Sequence, residues 1–285
     1  MTNEVSDRKA LIAALSGVSV EGTPYPQGYL VDLVNTFYGD AEVEHQELVA
    51  LRRLLTDCDR FIDVGANVGQ HTYNASLVMT AGELVAIEAN PFLIPVLQTL
   101  AEHVERAGHH TVQVVHAAVT NREELTRFFL PWNVAQGGSL VRRSEPGMDT
   151  EVTVNAIALD TLYRRSRKTI VKIDVEGAEY RVLASAERFL SSDHTMFFVE
   201  LHGWGDQTIE MYPLDVCGFL LLKGYALRHI GARASNHYLF YRAGVVERIC
   251  RYLAVAPRFG LMAFVYRYAR PTIPVWRRIR RWTLG

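Results

Sequence analysis

Four acidic side chains and one histidine directly follow apolar segments of this chain, and these residue types suit proton transfer and recognition of a cationic ligand. They are Asp63, Glu88, Asp174, Glu200 and His202. A buried carboxylate is unfavourable unless it has a partner, so packing alone does not explain four of them. The pattern therefore predicts a functional cluster rather than a coincidence of packing.

The first acid, Asp63, precedes a turn with glycines at positions 65 and 69. Gly65 is expected to turn the backbone tightly and bring its N–H groups close to a ligand, and Gly69 to let the next helix lie near the sheet. A dinucleotide loop has the pattern G-x-G-x-x-G, because pyrophosphate requires close backbone approach at a helix N-terminus. The first glycine of that triplet is missing here, which disfavours a nicotinamide-dependent oxidoreductase.

Two carboxylates next to this turn, Asp63 and Glu88, repel a phosphate and suit a ligand with a cationic amine and a ribose. S-adenosylmethionine carries both groups and no phosphate. Glu88 is expected to accept hydrogen bonds from the two ribose hydroxyls, and Asp63 to lie near the methionine amino group, directly or through water. The alternative is an ordinary strand, turn and helix in which Asp63 caps the helix, and the presence of Glu88 disfavours it.

Asp174, Glu200 and His202 are the candidate catalytic residues. Methyl transfer from a sulfonium is an in-line displacement with an activated leaving group, so the protein must align the acceptor and remove its proton. Glu200 and His202 point to the same side of a continuing strand. We expect the base to be His202, because imidazole titrates near pH 6.5, or Asp174, because partial burial raises a carboxyl pKa. His202 as a strand-end residue satisfied by the backbone remains the alternative.

These three side chains also offer ligand types that suit a divalent metal, but their spacing is not diagnostic, and we assign no metal ligands. Cys58, Cys217 and Cys250 lack C-x-x-C spacing. Neither a zinc site nor a disulfide framework is indicated, and a reducing cytoplasm fits.

Strand-length apolar runs alternate with helical patterns from residue 60 to residue 242. Strands are expected at 60–65, 83–88, 112–119, 169–174, 195–200, 225–230 and 236–242, with helices at 68–79, 91–106, after 179 to about 190, and 214–223. This alternation predicts an α/β fold with a doubly wound, mostly parallel sheet and a terminal antiparallel strand. Ligands of such sheets bind beyond the carboxyl ends of the strands, where the acids fall.

Three parts are expected along the chain: a helical lead-in at 1–56, a cofactor-binding catalytic domain at 57–245, and a basic segment at 246–285. A hairpin insertion at about 120–159 interrupts the catalytic domain. Its Gly137-Gly138-Ser139 loop is expected to be a flexible turn more than a substrate contact. In the lead-in, Tyr38, Glu44 and His45 either close over the cofactor or belong to the surface.

The C-terminal segment is strongly basic, with nine arginines and one acid in residues 246–285, although the whole chain has a net charge of −1. One predicted helical face carries Val246, Ile249, Cys250 and Leu253, with Arg248 and Arg251 opposite. After Pro257 an apolar stripe restarts with Leu261, Phe264, Val265 and Tyr268, and the chain continues to Trp276 and Trp282. Arginine beside such stripes and aromatics favours contact with an anionic membrane surface.

Two alternatives to membrane contact stay open: docking of this segment on the acidic core, and nucleic-acid binding, which the lack of a recognised nucleic-acid module disfavours. The polar start, Met1 to Lys9, gives no signal-peptide pattern, and no apolar run reaches 18 residues. We expect a cytoplasmic protein that contacts the inner face of the membrane peripherally.

Four motifs also carry a family resemblance: Ile62-Asp63-Val64-Gly65-Ala66-Asn67-Val68-Gly69 with Thr72, Glu88-Ala89-Asn90-Pro91, Leu159-Asp160-Thr161-Leu162, and Val171-Lys172-Ile173-Asp174-Val175-Glu176-Gly177-Ala178-Glu179. Over roughly residues 60–243 the sequence resembles the FkbM family of S-adenosylmethionine-dependent methyltransferases. The turn at 120–123 departs from the pattern, because it lacks the expected Asp and Gly.

The resemblance implies a class I methyltransferase fold that O-methylates a hydroxyl of a sugar, a glycolipid or polysaccharide, or a related secondary metabolite. The acceptor is then a small molecule or a glycan. The implied cofactor-binding residues are Asp63, Gly65, Ala66, Asn67, Gly69, Thr72 and Glu88, with Ala118 assigned to adenine by position alone. The competing hypothesis is a non-catalytic, cofactor-binding or membrane-associated scaffold.

Overall fold

The protein's structure is a computed structural model that describes residues 2–26, 28–39, 46–122, 124–131, 138–140, 149–202, 213–231 and 235–269. Its strands are β1 (Arg60–Val64), β2 (Gly82–Glu88), β3 (His110–His116), β4 (Ala118–Val119), β5 (Leu125–Pro131), β6 (Asp149–Ile157), β7 (Thr169–Ile173), β8 (Thr195–Glu200), β9 (Tyr225–Ile230) and β10 (His237–Arg242). Its helices are α1 (Thr2–Ser16), α2 (Tyr29–Tyr38), α3 (Gln46–Leu55), α4 (Gln70–Val78), α5 (Ile94–Arg106), α6 (Glu179–Ala184), α7 (Glu187–Leu190), α8 (Pro213–Leu222) and α9 (Val245–Ala269). Short 3-10 helices lie at Pro91–Leu93 and Leu159–Leu162.

Seven strands form the central sheet in the order β3-β2-β1-β7-β8-β10-β9. Strand β10 runs antiparallel to both of its neighbours, and the remaining pairs are parallel. The predicted α/β doubly wound sheet is therefore confirmed. The antiparallel strand is the last in the chain, but it lies second from the edge, with β9 outside it.

Helices cover both faces of this sheet, because neighbouring residues of a strand point to opposite faces and both sets are apolar. Phe61 packs into a cluster with residues of α1 to α5, whereas Ile62 packs into a second cluster with residues of α6 to α9. Both side chains are fully buried. This two-sided burial explains why the strands read as continuous apolar runs.

The strand order reverses between β1 and β7. The chain leaves β1 towards β2 and β3, returns to β7 and then continues in the opposite direction. At this point the Asp174 backbone N–H donates to the Val64 carbonyl oxygen over 3.0 Å. The carboxyl ends of β1 and β7, which carry Asp63 and Asp174, therefore lie side by side, where open α/β sheets bind ligands.

The interruption between β3 and β7 forms a small second sheet in the order β4-β6-β5. Strands β5 and β6 are the antiparallel pair expected for the insertion, and β6 also pairs in parallel with β4. The expectation of a single strand at 112–119 is wrong, because β3 ends at His116 and the next strand, β4, joins this second sheet.

The expected continuous helix up to residue 190 is wrong as well, because α6 ends at Ala184 and α7 begins at Glu187. The Ser185 hydroxyl donates to the Val182 carbonyl oxygen at 2.7 Å and accepts the Leu159 N–H at 3.0 Å. A serine that bonds locally to the backbone competes with helical hydrogen bonding, which explains the break.

Helix α9 docks on the core through its middle. Val255 and Phe259 are buried in the second cluster, and the Phe259 ring lies 5.5 Å from that of Tyr238. Val246 and Leu253, on another face of α9, are exposed. Across the described residues, none of the helices is both long and apolar enough to span a bilayer.

Candidate active site

Gly65 permits the turn between β1 and α4. Its φ is 77°, and a Cβ atom at this position would lie 1.8 Å from the Asp174 carbonyl oxygen. A side chain is therefore excluded twice, by the left-handed backbone conformation and by the neighbouring strand. The glycine lets the end of β1 lie against the chain that leaves β7.

The N–H groups of this turn are bonded within the protein, contrary to the expectation that Gly65 presents them to a ligand. Those of Gly65 and Ala66 both donate to the Ile87 carbonyl oxygen over 3.0 Å. The Asn67 N–H donates to Glu88 Oε2 over 2.8 Å. With these donors already used, the turn is poorly suited to hold a phosphate.

Gly69 lies against a neighbouring helix, a contact that the sequence explanation for it did not include. It precedes α4 with φ 82°, and an added Cβ would lie 2.1 Å from Leu100 Cδ2 and 3.0 Å from Leu97 Cδ2. Both leucines belong to α5. The glycine therefore lets the start of α4 approach α5.

Glu88 lies at the end of β2 with both carboxylate oxygens held. Its Oε1 accepts the Asn90 N–H and its Oε2 accepts the Asn67 N–H, each over 2.8 Å. Burial raises the pKa of Glu88, and the two backbone donors oppose that shift. Each carboxylate oxygen has a further lone pair, so this side chain keeps acceptors for ligand hydroxyls.

Asp63 is completely buried behind the turn. Its Oδ2 accepts the Thr72 hydroxyl over 2.9 Å, and its Oδ1 lies 3.1 Å from Lys172 Nζ. Burial raises the pKa of Asp63, while the Lys172 charge and the Thr72 hydroxyl oppose the rise. Asp63 and Thr72 therefore support the turn from inside the protein.

Sequence reasoning gave Lys172 no role, although a lysine in the middle of a buried strand was a usable signal. Its ammonium group lies 3.1 Å from Asp63 Oδ1, 3.4 Å from Asp174 Oδ2 and 3.1 Å from the Gly65 carbonyl oxygen. Burial alone would lower the pKa of Lys172, but the two carboxylates raise it above its usual value. The lysine therefore ties β1, the glycine turn and Asp174 together.

A pocket opens between the glycine turn and the second sheet. It is lined by Val64, Gly65, Asn67, Ile87, Glu88, Ala89, Ala117, Ala118, Val119, Phe128, Gly138, Leu140, Asp174, Val175 and Glu176. Glu88 and Asp174 supply carboxylates from the ends of β2 and β7, which flank β1. Ala118, Phe128 and Leu140 supply an apolar wall. A wall of this kind beside carboxylate acceptors suits a ligand that combines a planar ring with hydroxyl groups.

Five of the predicted site residues line this pocket: Gly65, Asn67, Glu88, Ala118 and Asp174. Four more are buried: Asp63 in β1, Ala66 and Gly69 in the turn, and Thr72 in α4. Sequence reasoning missed the contribution of the insertion, since it treated the Gly138 loop mainly as a flexible turn. Gly138 lines the pocket, and the Ser139 hydroxyl donates to the Glu176 carbonyl oxygen at 2.9 Å.

The lead-in packs behind the pocket. Tyr38, once a candidate lid, is buried, and its hydroxyl donates to the Val68 carbonyl oxygen over 2.8 Å. The Tyr25 hydroxyl accepts a hydrogen bond from the Asn90 side chain over 2.9 Å. Tyr38 therefore buttresses the turn and does not close over it, while Glu44 and His45 lie outside the described residues.

The three candidate catalytic residues meet beside the pocket. One ligand atom from each of Asp174, Glu200 and His202 lies within 4.8 Å of the others. His202 Nε2 is 3.9 Å from Asp174 Oδ1 and 3.6 Å from Glu200 Oε1. Since Asp174 also lines the pocket, it links this group to the pocket.

Glu179 fixes the orientation of His202, a role that sequence reasoning missed. His202 Nδ1 lies 2.9 Å from Glu179 Oε1, and that side chain is almost completely buried. The same oxygen accepts the Gly177 N–H over 2.9 Å. The imidazole therefore directs Nε2 towards Asp174 and Glu200.

The charges of this group reverse both pKa expectations from the sequence. Burial alone would lower the pKa of His202, but the hydrogen bond and charge of Glu179, with Glu176 and Asp174, raise it to about 10. Burial alone would raise the pKa of Asp174, but Lys172 and His202 lower it. In the unliganded protein, neutral pH therefore leaves His202 cationic and Asp174 ionised.

The open sheet, the glycine turn at its switch point and the acidic residue after the second strand define a class I methyltransferase fold. The sequence matches the methyltransferase FkbM domain over residues 63–227. The chain therefore belongs to the FkbM family of S-adenosylmethionine-dependent methyltransferases, as the sequence resemblance predicted.

Solved structures with a similar fold come from proteins of low sequence identity. The methyltransferase FkbM from Methylobacillus flagellatus KT has 13% identity and a TM-score of 0.43 over 84% of this chain and 59% of its own. Magnesium protoporphyrin IX methyltransferase from Synechocystis PCC 6803, solved with bound S-adenosylmethionine, has 10% identity and a TM-score of 0.43 over 83% of this chain and 97% of its own. The B. subtilis tRNA methyltransferase TrmK has 10% identity and a TM-score of 0.40 over 71% of this chain and 67% of its own.

This chain spans about three fifths of the M. flagellatus protein. Comparison with curated protein sequences finds no match.

Proposed function

We propose that this family member transfers the methyl group of S-adenosylmethionine to a hydroxyl of a sugar, a glycolipid or polysaccharide, or a related secondary metabolite. The observation that carries the proposal is the convergence of Asp174, Glu200 and His202 at the edge of the cofactor pocket. A hydroxyl must lose its proton as the methyl group is transferred, and these side chains supply acceptors and charge for that task.

The cofactor takes the pocket between the glycine turn and the second sheet. Glu88 accepts the ribose hydroxyls, and the wall of Ala118, Phe128 and Leu140 covers the adenine. Asp63 and Thr72 act from behind, because they hold the turn in place through Lys172. This arrangement directs the sulfonium towards Asp174, on the side where the acceptor enters.

Asp174 orients the acceptor hydroxyl, because it is the member of the catalytic group that lines the pocket. Glu200 and His202 complete the acceptor side. Alignment matters most in this reaction, since the sulfonium is already an activated leaving group.

The exposed face of α9 attaches the enzyme to an anionic membrane surface, which suits a lipid-linked acceptor. Val246, Ile249 and Leu253 are 76%, 49% and 61% exposed along one side of the helix. The sequence after Ala269 adds five arginines. Apolar side chains with flanking arginines favour the interface of a negatively charged bilayer.

A cytoplasmic location is consistent with the thiols. Cys58, Cys217 and Cys250 are all free, and free cysteines fit a reducing compartment. Together with the proposed membrane contact, this supports a location at the inner face of a membrane.

Calorimetric titration of the full-length protein with S-adenosylmethionine, S-adenosylhomocysteine and NAD tests the first step. The first two should bind and NAD should not.

Incubation of cell extracts with methyl-labelled cofactor then tests turnover and identifies the acceptor fraction. Label in a glycan or lipid-linked fraction supports the proposal. Cofactor binding without any labelled product would favour the non-catalytic scaffold, and label confined to RNA would contradict the hydroxyl-bearing glycan or metabolite as acceptor.

A further inference from the structure

The three side chains of Asp174, Glu200 and His202 have an arrangement that proton transfer alone does not require. Each of them has one polar atom fixed by a neighbour and a second atom directed to a common point. His202 is fixed through Nδ1 by Glu179 at 2.9 Å. Glu200 has Oε2 at 3.3 Å from His237 Nε2, and Asp174 has Oδ2 at 3.4 Å from Lys172 Nζ.

The atoms that remain are His202 Nε2, Glu200 Oε1 and Asp174 Oδ1, and these are the ones that converge. The nitrogen lies 3.6 Å from the Glu200 oxygen and 3.9 Å from the Asp174 oxygen. Two ligands on a divalent ion with bonds of about 2.1 Å lie about 3.0–3.4 Å apart. For the two nitrogen–oxygen pairs, an ion would therefore need to draw the side chains together by less than about 1 Å, and one ligand atom from each of the three residues lies within 4.8 Å of the others.

The charge around Asp174, Glu200 and His202 is unbalanced towards negative. Five carboxylates, those of Asp63, Asp174, Glu176, Glu179 and Glu200, are connected through contacts below 4 Å with one lysine and two histidines. S-adenosylmethionine brings a net charge of one. A second cation beside these side chains would offset more of this negative charge, since partly buried like charges repel one another.

From this convergence we propose that Asp174, Glu200 and His202 bind a divalent cation, which departs from the expectation of no metal. Two carboxylates and one imidazole suit an ion that accepts both oxygen and nitrogen ligands, as Mn²⁺ does. Binding of the ion displaces the proton from His202 Nε2, because only the neutral imidazole is a ligand. Glu179 and His237 are positioning residues that hold two of the ligands from outside, an arrangement typical of metal-binding histidines and carboxylates.

The inference rests on the proposed function for its chemical meaning. An ion on Asp174 stands at the edge of the cofactor pocket, where it would bind the acceptor oxygen and lower its pKa before methyl transfer. In that case Asp174 orients the acceptor through the ion rather than directly.

The test is Mn²⁺ binding to the full-length protein. Binding is measured as the loss of the electron paramagnetic resonance signal of free Mn²⁺. One site is expected per chain, with Mg²⁺ as a competitor. Glu200→Gln and His202→Ala should weaken Mn²⁺ binding at least tenfold, and Glu179→Gln by roughly 10–100-fold. Glu187→Gln removes an exposed carboxylate elsewhere and should leave binding unchanged.

S-adenosylhomocysteine binding, measured in parallel, separates this inference from the proposed function. Retained cofactor binding with lost Mn²⁺ binding supports the ion site even if no methyl acceptor is found. Equal Mn²⁺ affinity in wild type, Glu200→Gln and Glu187→Gln would overturn it, whatever the methylation result.

Wild-type protein alone provides a second test that no folding defect affects. Added Mn²⁺ should raise its melting temperature, because an ion that binds only the folded state stabilises that state. A melting temperature that does not change up to millimolar Mn²⁺ would also overturn the inference.

Discussion

Lys172 and Asp63 form an ion pair over 3.1 Å inside the protein, with both side chains almost completely inaccessible to solvent. The pair joins β7 to β1 directly behind the glycine turn. Asp63 has Thr72 as its other partner, and Lys172 also reaches Asp174. The glycine turn and the Asp174 carboxylate therefore depend on one buried ammonium group.

Lys172→Met is expected to lower the free energy of unfolding by about 3–5 kcal/mol, because Asp63 would remain buried without its counter-charge. Chemical denaturation measures this change. Lys168→Met, at an exposed position four residues earlier, is the control and should have little effect. Additional replacement of Asp63 by Leu should restore part of the loss, and a double variant less stable than Lys172→Met would contradict the ion-pair explanation.

Glu88→Ala should weaken S-adenosylhomocysteine binding by about 1–3 kcal/mol. The ribose hydroxyls would lose a charged acceptor, and the Asn67 and Asn90 N–H groups would lose theirs. Calorimetry measures the affinity, with Glu102→Ala as a control because that glutamate is exposed on α5. Unchanged affinity in Glu88→Ala would remove it from the cofactor site.

Asp174→Asn separates binding from chemistry. The amide keeps the size of the side chain but loses the charge that faces the acceptor, so turnover should fall by about 10²–10⁴-fold. Cofactor affinity should change little, since Glu88 and the apolar wall remain. Single-turnover methyl transfer and calorimetry on the same sample test both statements, and normal turnover would exclude Asp174 from catalysis.

Gly138→Ala tests whether the insertion shapes the cofactor pocket. An added Cβ would lie 2.7 Å from Phe128 Cε1, so the ring must move from its place in the pocket wall. We expect cofactor binding to weaken by about 1–3 kcal/mol, as for overpacking elsewhere. Gly244→Ala meets no atom within 4 Å and is the matched control. Equal affinity in both variants would show that Phe128 does not cover the cofactor.

Much of the fold was accessible from sequence because the signals were local. Val85 and Ile87 lie in a continuous apolar run that ends in Glu88, so the strand and its terminal acid could both be identified. The spatial order of β9 and β10 depends on long-range pairing, which periodicity does not report. At the break between α6 and α7, the Ser185 hydroxyl also accepts the N–H of Leu159, 26 residues away, and no local pattern indicates such a contact.

The candidate site, like the fold, was predictable from sequence where the signal was local and not where it depended on long-range contacts. Asp174, Glu200 and His202 were expected to lie together because each lies at or just beyond the end of a strand, and they do. The pKa expected for His202 and the direction of the pKa shift expected for Asp174 were wrong. The pKa of His202 depends on Glu179, a buried residue of a different element. Sequence alone could not place that carboxylate 2.9 Å from the imidazole.

The first half of α9 has two separate faces, and this changes how the C-terminal segment should be tested. Val255 and Phe259 belong to the core, and the Arg248 guanidinium donates to the Leu221 carbonyl oxygen over 2.8 Å. Cutting the chain after Ala243 would therefore remove core side chains and lower stability. Substitutions on the exposed face avoid this problem.

The triple variant Val246→Gln, Ile249→Gln, Leu253→Gln should lose most of its co-sedimentation with anionic vesicles while it keeps its melting temperature and its cofactor affinity. These side chains are exposed, so their replacement removes membrane contact without opening the core. Leu125→Gln, at an exposed position in the insertion, is the control.

Binding of the wild type should weaken as salt rises, because each arginine near the membrane surface contributes about 1 kcal/mol that salt screens. Equal sedimentation of wild type and triple variant, or equal binding to neutral and anionic vesicles, would contradict a membrane role for this face.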